Sequence, residues 1–171
     1  IEDLWGIVNA SEKTRKHCMM LENVNYGREE LMFLNICRKG LIGDLIHGEA
    51  SYIHDLRGQM FQRDKTSFDG HPGTGSWRTR QYAKNIGNLY PTHGLGPVAQ
   101  YMSLARKEDS FKKIVSLSSP SKGRYLMAKK YFDKNHERNN LEFKNGDINT
   151  SIIQTTYGKT IMIQWDETSP R

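Results

Sequence analysis

The sequence has little cysteine and no long apolar run. Cys18 and Cys37 are its two cysteines, and they form no CxxC motif, so neither a disulfide framework nor a zinc ribbon is indicated. No apolar stretch approaches the roughly 20 residues that a transmembrane helix needs. No charged segment followed by an apolar run marks a signal peptide, and phosphate-binding loops of the GxGxxG or GxxxxGK type are missing. These absences argue against a membrane span and a nucleotide-binding loop within these residues.

The charge is basic but thinly spread. Lysine and arginine number 25 against 19 acidic residues, which gives a formal net charge of +6 and a pI near 9.3. The excess is densest over residues 122–138, where Asp133 and Glu137 interrupt it, and no zinc-finger, RNP or basic-zipper pattern accompanies it. We therefore predict a solvated basic face and no nucleic-acid binding. Glu49, His54 and Asp55 lack metal-ligand spacing, so no metal site is predicted.

The amino-terminal segment reads as the end of an α/β unit. Residues 2–16 predict an amphipathic helix with a basic last turn. Residues 17–21 form a nearly continuous apolar run, typical of a strand buried on both faces. Asn23 and Asn25 follow that strand, where open α/β sheets bind ligands, although they also suit a simple turn. Because the pattern begins in the middle of a fold, we expect a fragment of a longer protein.

A second helix and a strand follow. Residues 27–39 predict a helix that Gly40 caps. Residues 45–54 predict a strand, and its alternation puts Tyr52 and His54 on a face that also carries small residues. Small residues leave room there, so both rings point at whatever fills the space. His47 faces the other way, and we predict a structural role for it.

Two polar segments supply the other candidate site residues. Residues 58–85 are polar and turn-rich, and within them the Trp77–Arg78 pair suits holding a carbonyl or hydroxyl, or simple surface packing. Residues 87–97 place Tyr90, Thr92 and His93 between glycines and prolines. We predict a stiff loop there and a helix starting at Pro97. A ligand site and a buried Tyr–His pair both remain open.

The last third predicts an antiparallel meander. Residues 114–118 predict a strand, followed by a basic connection without a structural signal. Asn145 and Gly146 form the dipeptide of a type I′ hairpin turn. Residues 147–156 and 159–165 predict two further strands. The fold class is therefore α/β (α+β).

The candidate residues suit hydroxyl-rich ligands. Tyrosines and histidines around a cavity serve proton transfer and the hydrogen bonding of hydroxyls. Glu22 is the acidic candidate, and no carboxylate pair of a classical glycosidase is evident. The residues themselves indicate a polyol or sugar site. The set comprises Glu22, Tyr52, His54, Arg78, Tyr90 and His93.

Six ordered segments carry a family resemblance. They are HCMMLENV (17–24), REEL (28–31), HGE (47–49), YIHDLR (52–57), WR (77–78) and NLYPTHG (88–94). Together they resemble glycoside hydrolase family 109, the NAD-dependent α-N-acetylgalactosaminidases of the glucose–fructose oxidoreductase and inositol dehydrogenase superfamily. The resemblance covers nearly the whole chain, least securely over residues 58–76 and 119–140.

The resemblance implies a two-domain enzyme. Residues 1–24 would be the last helix and strand of a Rossmann domain, and residues 25–171 most of a carboxy-terminal substrate domain. That domain would be an open, largely antiparallel sheet with helices on one face, able to form homo-oligomers through the open sheet. The glycine-rich fingerprint would lie before Ile1 and a sugar-contacting tyrosine after Arg171, so we expect this piece alone to be inactive. The sequence leaves the compartment unknown, and the resemblance is compatible with export to the periplasm.

The implied chemistry uses NAD. Hydride removal from C3 of the sugar would acidify the C2 proton, so that elimination, hydration and hydride return complete hydrolysis. The resemblance draws the acid and base from Tyr52, Tyr90 and His93. It implies that Asn23 and Tyr90 contact NAD, while Glu22 and His54 tune the other groups. The sugar-lining residues would be Tyr52, Arg78, Tyr90, Thr92 and His93.

Two other functions are compatible with these residues. A sugar or polyol dehydrogenase of the same superfamily often carries an Asp four residues before the loop histidine, where this sequence has Leu89. A non-catalytic sugar-binding module needs the pocket but no cofactor. Retention of NAD by the full-length protein separates an enzyme from such a module.

Overall fold

The computed structural model describes residues 2–57, 76–104, 108–136 and 139–169. Its helices are α1 (Glu2–Thr14), α2 (Arg28–Arg38), α3 (Ser76–Lys84), α4 (Pro91–Tyr101) and α5 (Gly123–Tyr131), with a 3₁₀ turn at Asn23–Tyr26. Its strands are β1 (His47–Ile53), β2 (Phe111–Ser118), β3 (Ile148–Thr155) and β4 (Thr160–Asp166). None of the helices so described is long and apolar enough to cross a membrane.

The strands form one mixed sheet in the order β1-β4-β3-β2. β2, β3 and β4 pair antiparallel, whereas β1 pairs parallel with β4. Gly158 has a φ of +86° in the β3–β4 turn, a conformation that favours glycine. The predicted meander and the open, largely antiparallel sheet are confirmed. Because β1 and β4 run parallel, their carboxyl ends meet at one edge, where Tyr52 lies opposite Trp165.

One face of the sheet carries the core. Met102 and Leu104, at the end of α4, pack with Ile153, Ile161 and Ile163 of the sheet. Burying such side chains contributes about 25 cal/mol for each Å² removed from water. α2 packs in turn on α4, where the rings of Phe33 and Tyr101 lie 6.3 Å apart. The helix layer therefore fixes α4 against β1 and β4.

The opposite face is open in the described structure. Val115, Leu117 and Ile152 are 62%, 72% and 43% exposed there. Strand register places them on the side away from Ile153, Ile161 and α4. The prediction of helices on one face is therefore confirmed.

The amino-terminal strand prediction is wrong for this chain. α1 forms as predicted, but residues 17–21 are irregular and pair with no strand within the described ranges. Met19, Met20 and Leu21 are 73%, 71% and 62% exposed. A strand needs a neighbour to satisfy its backbone hydrogen bonds, and none of the described strands lies beside this segment.

Two helix predictions also require correction. α4 begins at Pro91, so Thr92 and His93 lie in its first turn, and Pro97 stands inside it. Both prolines suit a first turn, and the earlier one takes that position because the helix packs along β1. The polar segment is not all loop either, since its end forms α3. Residues 58–75 of that prediction lie outside the described residues.

The hairpin prediction at Asn145 and Gly146 is wrong. Asn145 is fully buried, Gly146 has no positive φ, and residues 141–147 are irregular. Gly146 serves a close approach instead, because a Cβ there would lie 1.9 Å from the carbonyl oxygen of Ser119. The basic connection before it contains α5, whose Arg124 is 1% exposed and so is not part of a solvated face.

Candidate functional site

Four aromatic side chains meet where β1 ends and α4 begins. The Tyr52 and Tyr90 rings stack, with centroids 4.9 Å apart and planes 15° apart. His54 packs edge-on against Tyr52 at 4.5 Å, and His93 lies 5.2 Å from Tyr52. His93 is also 5.8 Å from Tyr90. The structure thus brings together two phenols and two imidazoles, as the sequence predicts.

Small residues allow this approach. Gly94 lies against β1, where a Cβ would be 2.9 Å from both the Ala50 Cβ and the Ser51 nitrogen. The backbone N–H of Tyr90 donates to Asn88 Oδ1 at 2.8 Å, which fixes the turn before α4. The first turn of α4 is therefore placed directly over Tyr52.

The Glu22 carboxylate contacts the Nδ1 nitrogen of His93. Its Oε1 lies 2.6 Å from His93 Nδ1, and it also accepts from the Thr92 hydroxyl and the Val24 N–H. Burial raises the pKa of the Glu22 carboxyl, but Thr92, Val24 and His93 outweigh it, so the pKa is lowered. A carboxylate 2.6 Å from Nδ1 favours the tautomer with its proton on that nitrogen, which leaves Nε2 as the accepting nitrogen of the ring.

Arg78 reaches the same cluster from α3. Its Cζ lies 4.7 Å from the centre of the Tyr90 ring, and its guanidinium hydrogen-bonds to the Tyr52 hydroxyl. Burial and the nearby Glu167 charge raise the pKa of Tyr52, although Arg78 opposes them. The Tyr52 phenol is therefore protonated at neutral pH, with a cation beside its oxygen.

Glu167 also belongs to this cluster of contacts, although it is not among the residues predicted from the sequence. This side chain is 2% exposed, lies 3.5 Å from Arg78 Nη1, and accepts from the Tyr82 hydroxyl with its other oxygen. Burial raises its pKa to about 7, while Arg78 opposes the shift. Glu167 directly follows β4, and Tyr52 is the last residue but one of β1. The parallel pairing of the two strands brings both side chains to one end of the sheet. A carboxylate that directly follows a central strand is the sequence feature that could have marked Glu167 as a site residue.

No comparable sequence feature marks Arg124 as a buried residue. Its guanidinium lies 4.4 Å from the Tyr82 ring and 5.2 Å from the Trp165 ring, and it donates to the Gly146 carbonyl at 2.9 Å. Burial lowers its pKa to about 10, against the raising effect of Asp147 and Asp166. A basic run looks solvated in sequence unless the aromatic rings that cover one of its members are known.

The remaining predicted residues lie at the rim or elsewhere. Asn23 is exposed on the 3₁₀ turn next to the buried Glu22. His47 points away from the cluster, with Nδ1 2.7 Å from the Thr160 hydroxyl, which agrees with a structural role. The side chain of Trp77 lies outside the described residues. Across the described ranges, no group of three His, Cys, Asp or Glu is placed to hold a metal ion.

A separate groove of about 520 Å³ lies between α4 and the outer strands. Asn88 and Pro91 line its end nearest the cluster, but none of the four aromatic residues does. The groove floor is apolar, with Ile114, Ile153 and Ile163. The site residues predicted from the sequence therefore lie in the aromatic cluster and not in this groove.

The chain is similar in sequence to the proteins of one family. Residues 26–171 match the family model described as glycosyl hydrolase 109, C-terminal domain. All of the chain aligns with glycosyl hydrolase family 109 protein 1 of Akkermansia muciniphila at 63% identity, covering 34% of that relative. A glycosyl hydrolase family 109 protein of Shewanella sp. (strain W3-18-1) is 57% identical over the whole chain, which covers 36% of it. The chain therefore spans about a third of the length of these relatives.

A solved structure supports the fold. The crystal structure of an NAD-binding protein from Listeria innocua matches 98% of this chain and 37% of its own length, with a TM-score of 0.53 and 15% identity. At that identity the likeness concerns the fold alone. Together with the family match, these findings show that the chain belongs to glycosyl hydrolase family 109 and carries its carboxy-terminal domain.

Proposed function

We propose that the full-length protein is an NAD-dependent glycosidase that removes terminal α-linked N-acetylgalactosamine. The observation that supports this most is the aromatic cluster. In it the imidazole of His93 contacts the Glu22 carboxylate, and the phenol of Tyr52 hydrogen-bonds to the Arg78 guanidinium. His93 and Tyr52 are 5.2 Å apart between ring centroids, close enough to serve one sugar ring. The family match supports the glycosidase class, while the sugar and the mechanism are our proposal.

His93 is the proposed base. Because the Glu22 carboxylate occupies Nδ1, Nε2 is the ring nitrogen that meets the substrate and takes a proton from it. Glu22 then stabilises the imidazolium that forms. Thr92 donates to Glu22, so we assign it to holding that carboxylate in place.

Tyr52 is the proposed acid. Its phenol is protonated at neutral pH and gives its proton to the leaving oxygen. The Arg78 guanidinium beside the hydroxyl stabilises the phenolate left behind. Tyr90 supports this pair by stacking on Tyr52 and lying under Arg78. His54 packs on the other side of Tyr52 and limits its movement.

NAD is the cofactor that this proposal requires. When bound, it supplies the hydride acceptor for the oxidised sugar carbon. Asn23 fits a contact with it, because its side chain is exposed beside the site, and the Tyr90 phenol lies in the same cluster. We propose that residues 1–24 end a Rossmann domain that holds the rest of the cofactor. The exposed apolar side chains of α1, Leu4 at 66% and Trp5 at 62%, support a covered position in the full-length protein.

We also propose homo-oligomers through the open sheet face. Val115, Leu117 and Ile152 form an exposed apolar stripe across β2 and β3, and monomers rarely leave such a stripe uncovered.

The test uses the full-length protein and 4-nitrophenyl α-N-acetylgalactosaminide in heavy water. We expect nitrophenol release, co-purified NAD without net change in its redox state, and deuterium at C2 of the released sugar. Hydrolysis with only hydrogen at C2 would contradict the elimination route. Net NADH formation would indicate a sugar dehydrogenase instead, and sugar binding without NAD would indicate a binding module.

A further inference from the structure

A series of side-chain contacts connects Arg124 of α5 to Tyr52. Arg124 stacks on Tyr82, the Tyr82 hydroxyl donates to Glu167, Glu167 contacts Arg78, and Arg78 bonds to Tyr52. The proposed chemistry uses Tyr52 and Arg78 but gives no role to Glu167. A carboxylate that is 2% exposed needs a reason, because burying a charge is costly unless the charge is well paired.

Both oxygens of Glu167 are engaged. Oε2 accepts from Tyr82, and Oε1 lies 3.5 Å from Arg78 Nη1. Tyr82 is itself fixed, because its ring is 2% exposed and lies 5.8 Å from the Trp165 ring and 4.4 Å from the Arg124 guanidinium. Glu167 is therefore a rigid anchor in the protein interior.

The Arg78 side chain is long, so it needs a fixed contact to hold its guanidinium in one place. Its side chain is 18% exposed, and its guanidinium must lie over Tyr90 while it bonds to the Tyr52 hydroxyl. An arginine side chain loses much rotamer freedom when it is held in one place. Because the fixed Glu167 carboxylate contacts Arg78 Nη1 at 3.5 Å, it restricts the positions that the guanidinium can take beside the two phenols.

We propose that Glu167 is a positioning residue of the sugar site: anchored by Tyr82, it holds Arg78 against Tyr52 and Tyr90 and offsets part of the guanidinium charge at the Tyr52 hydroxyl. The kinetic part of this inference rests on the proposed glycosidase function. The structural part concerns only the electrostatic environment of Tyr52 and is testable without a sugar.

The charged and titratable neighbours decide the direction of the effect. Glu167 faces Arg78 and Tyr82 of α3, Tyr52 at the end of β1, and Arg124 of α5 behind the Tyr82 ring. Tyr52 faces a second set, from α3, α4, β1 and the segment after β4. That set is Arg78, Tyr90, His93, His54 and Glu167. Removing the Glu167 charge removes a negative charge that raises the pKa of the Tyr52 phenol, which favours the phenolate.

The central variant is Glu167→Gln in the full-length protein. We expect kcat on the nitrophenyl glycoside to fall about 100-fold, because a small displacement of a positioning group has effects of that order. KM should change much less, and the basic limb of the kcat profile should move to lower pH. Tyr82→Phe keeps the ring under Arg124 but removes the donor to Glu167, so it should lower kcat in the same direction by less.

A matched pair at the other end of the sheet supplies the control. Glu108 accepts from the Tyr157 hydroxyl at the exposed β3–β4 turn. Glu108→Gln should leave kcat, KM and the pH profile unchanged. If Glu167→Gln only lowers stability, with kcat per folded site and the basic limb unchanged, the positioning role is wrong.

A sugar-free measurement separates this inference from the proposed function. The absorbance of phenolate at 295 nm should appear at lower pH in Glu167→Gln than in the wild type. That difference should vanish when both proteins also carry Tyr52→Phe. A wild type that lacks glycosidase activity but shows this shift would overturn the proposed function and support the positioning role. Identical titrations would overturn the positioning role, whatever the activity.

Discussion

Glu22 and His93 illustrate what residue chemistry predicts and what it does not. The sequence marks both as candidates by type, since carboxylates and imidazoles transfer protons. Their 2.6 Å contact depends on how the 3₁₀ turn meets the first turn of α4, and no local pattern encodes that. The residue types of the candidate site are thus readable from the sequence, whereas the pairing of these residues depends on the tertiary structure.

The Glu22–His93 pair has an exposed counterpart. Glu22→Gln should lower the proposed glycosidase kcat of the full-length protein about 100-fold or more, because an amide no longer fixes the His93 tautomer or stabilises its cation. Glu49→Gln changes a similar pair on the exposed face, where Glu49 lies 3.6 Å from His47, and should have no effect. Steady-state assays of both variants check this. Equal activity in the two would remove Glu22 from the site.

The titration of Glu167 makes a stability prediction. Its pKa is raised from 4.5 to about 7, so the folded state holds its proton more tightly than the unfolded state. Stability is therefore lost as pH rises between these two values, and Glu167→Gln escapes that loss. The melting temperature of the variant, relative to the wild type, should rise from pH 5 to pH 8. A difference that is constant with pH would show that Glu167 titrates normally.

At the scale of elements, alternation and turn chemistry predict well. The small and aromatic residues of β1 do share one face, and the turn with Tyr157 and Gly158 does join β3 to β4. The prediction fails where packing decides. α4 contains three residues of helix-breaking type, Gly94, Gly96 and Pro97, and it is helical because it packs on β1. Asn145 and Gly146 form a turn signal that burial overrides.

The approach of α4 to β1 is testable at Gly94. A Cβ there meets backbone of β1 at 2.9 Å, which cannot move without distorting the sheet. Gly94→Ala should lower stability by about 1–3 kcal/mol and displace His93 from Tyr52, with loss of activity. Gly48→Ala is the control on the same interface, since its Cβ meets the Val98 and Met102 side chains instead. Denaturant unfolding that shows Gly94→Ala to be no worse than Gly48→Ala would contradict this packing.

At the scale of the whole molecule, the sequence predicts an open, largely antiparallel sheet. It does not predict which strand-like segments lack a neighbouring strand. Residues 17–21 have a strand's composition, yet no strand forms because nothing in the described chain pairs with them. Spanning about a third of its relatives' length, the chain leaves such segments without the neighbours that would decide their structure. The same holds for the exposed apolar positions of α1.

The open sheet face leads to a prediction about assembly. Leu117→Lys places a charge on the apolar stripe, at a position that is 72% exposed, and should reduce the oligomer mass of the full-length protein. Leu126→Lys makes the same change at a 62% exposed position on α5, on the helix side, and should not. Light scattering coupled to size exclusion measures both. An unchanged mass for Leu117→Lys would exclude the open face as the interface.

The most direct test of the whole account compares two histidines. His93→Ala removes the imidazole that lies 5.2 Å from Tyr52, whereas His47→Ala removes one that faces away from the cluster. Turnover of 4-nitrophenyl α-N-acetylgalactosaminide by the full-length protein should fall by about 10² to 10⁴ in the first variant and stay at the wild-type value in the second. Full activity in His93→Ala would contradict the assignment of the site.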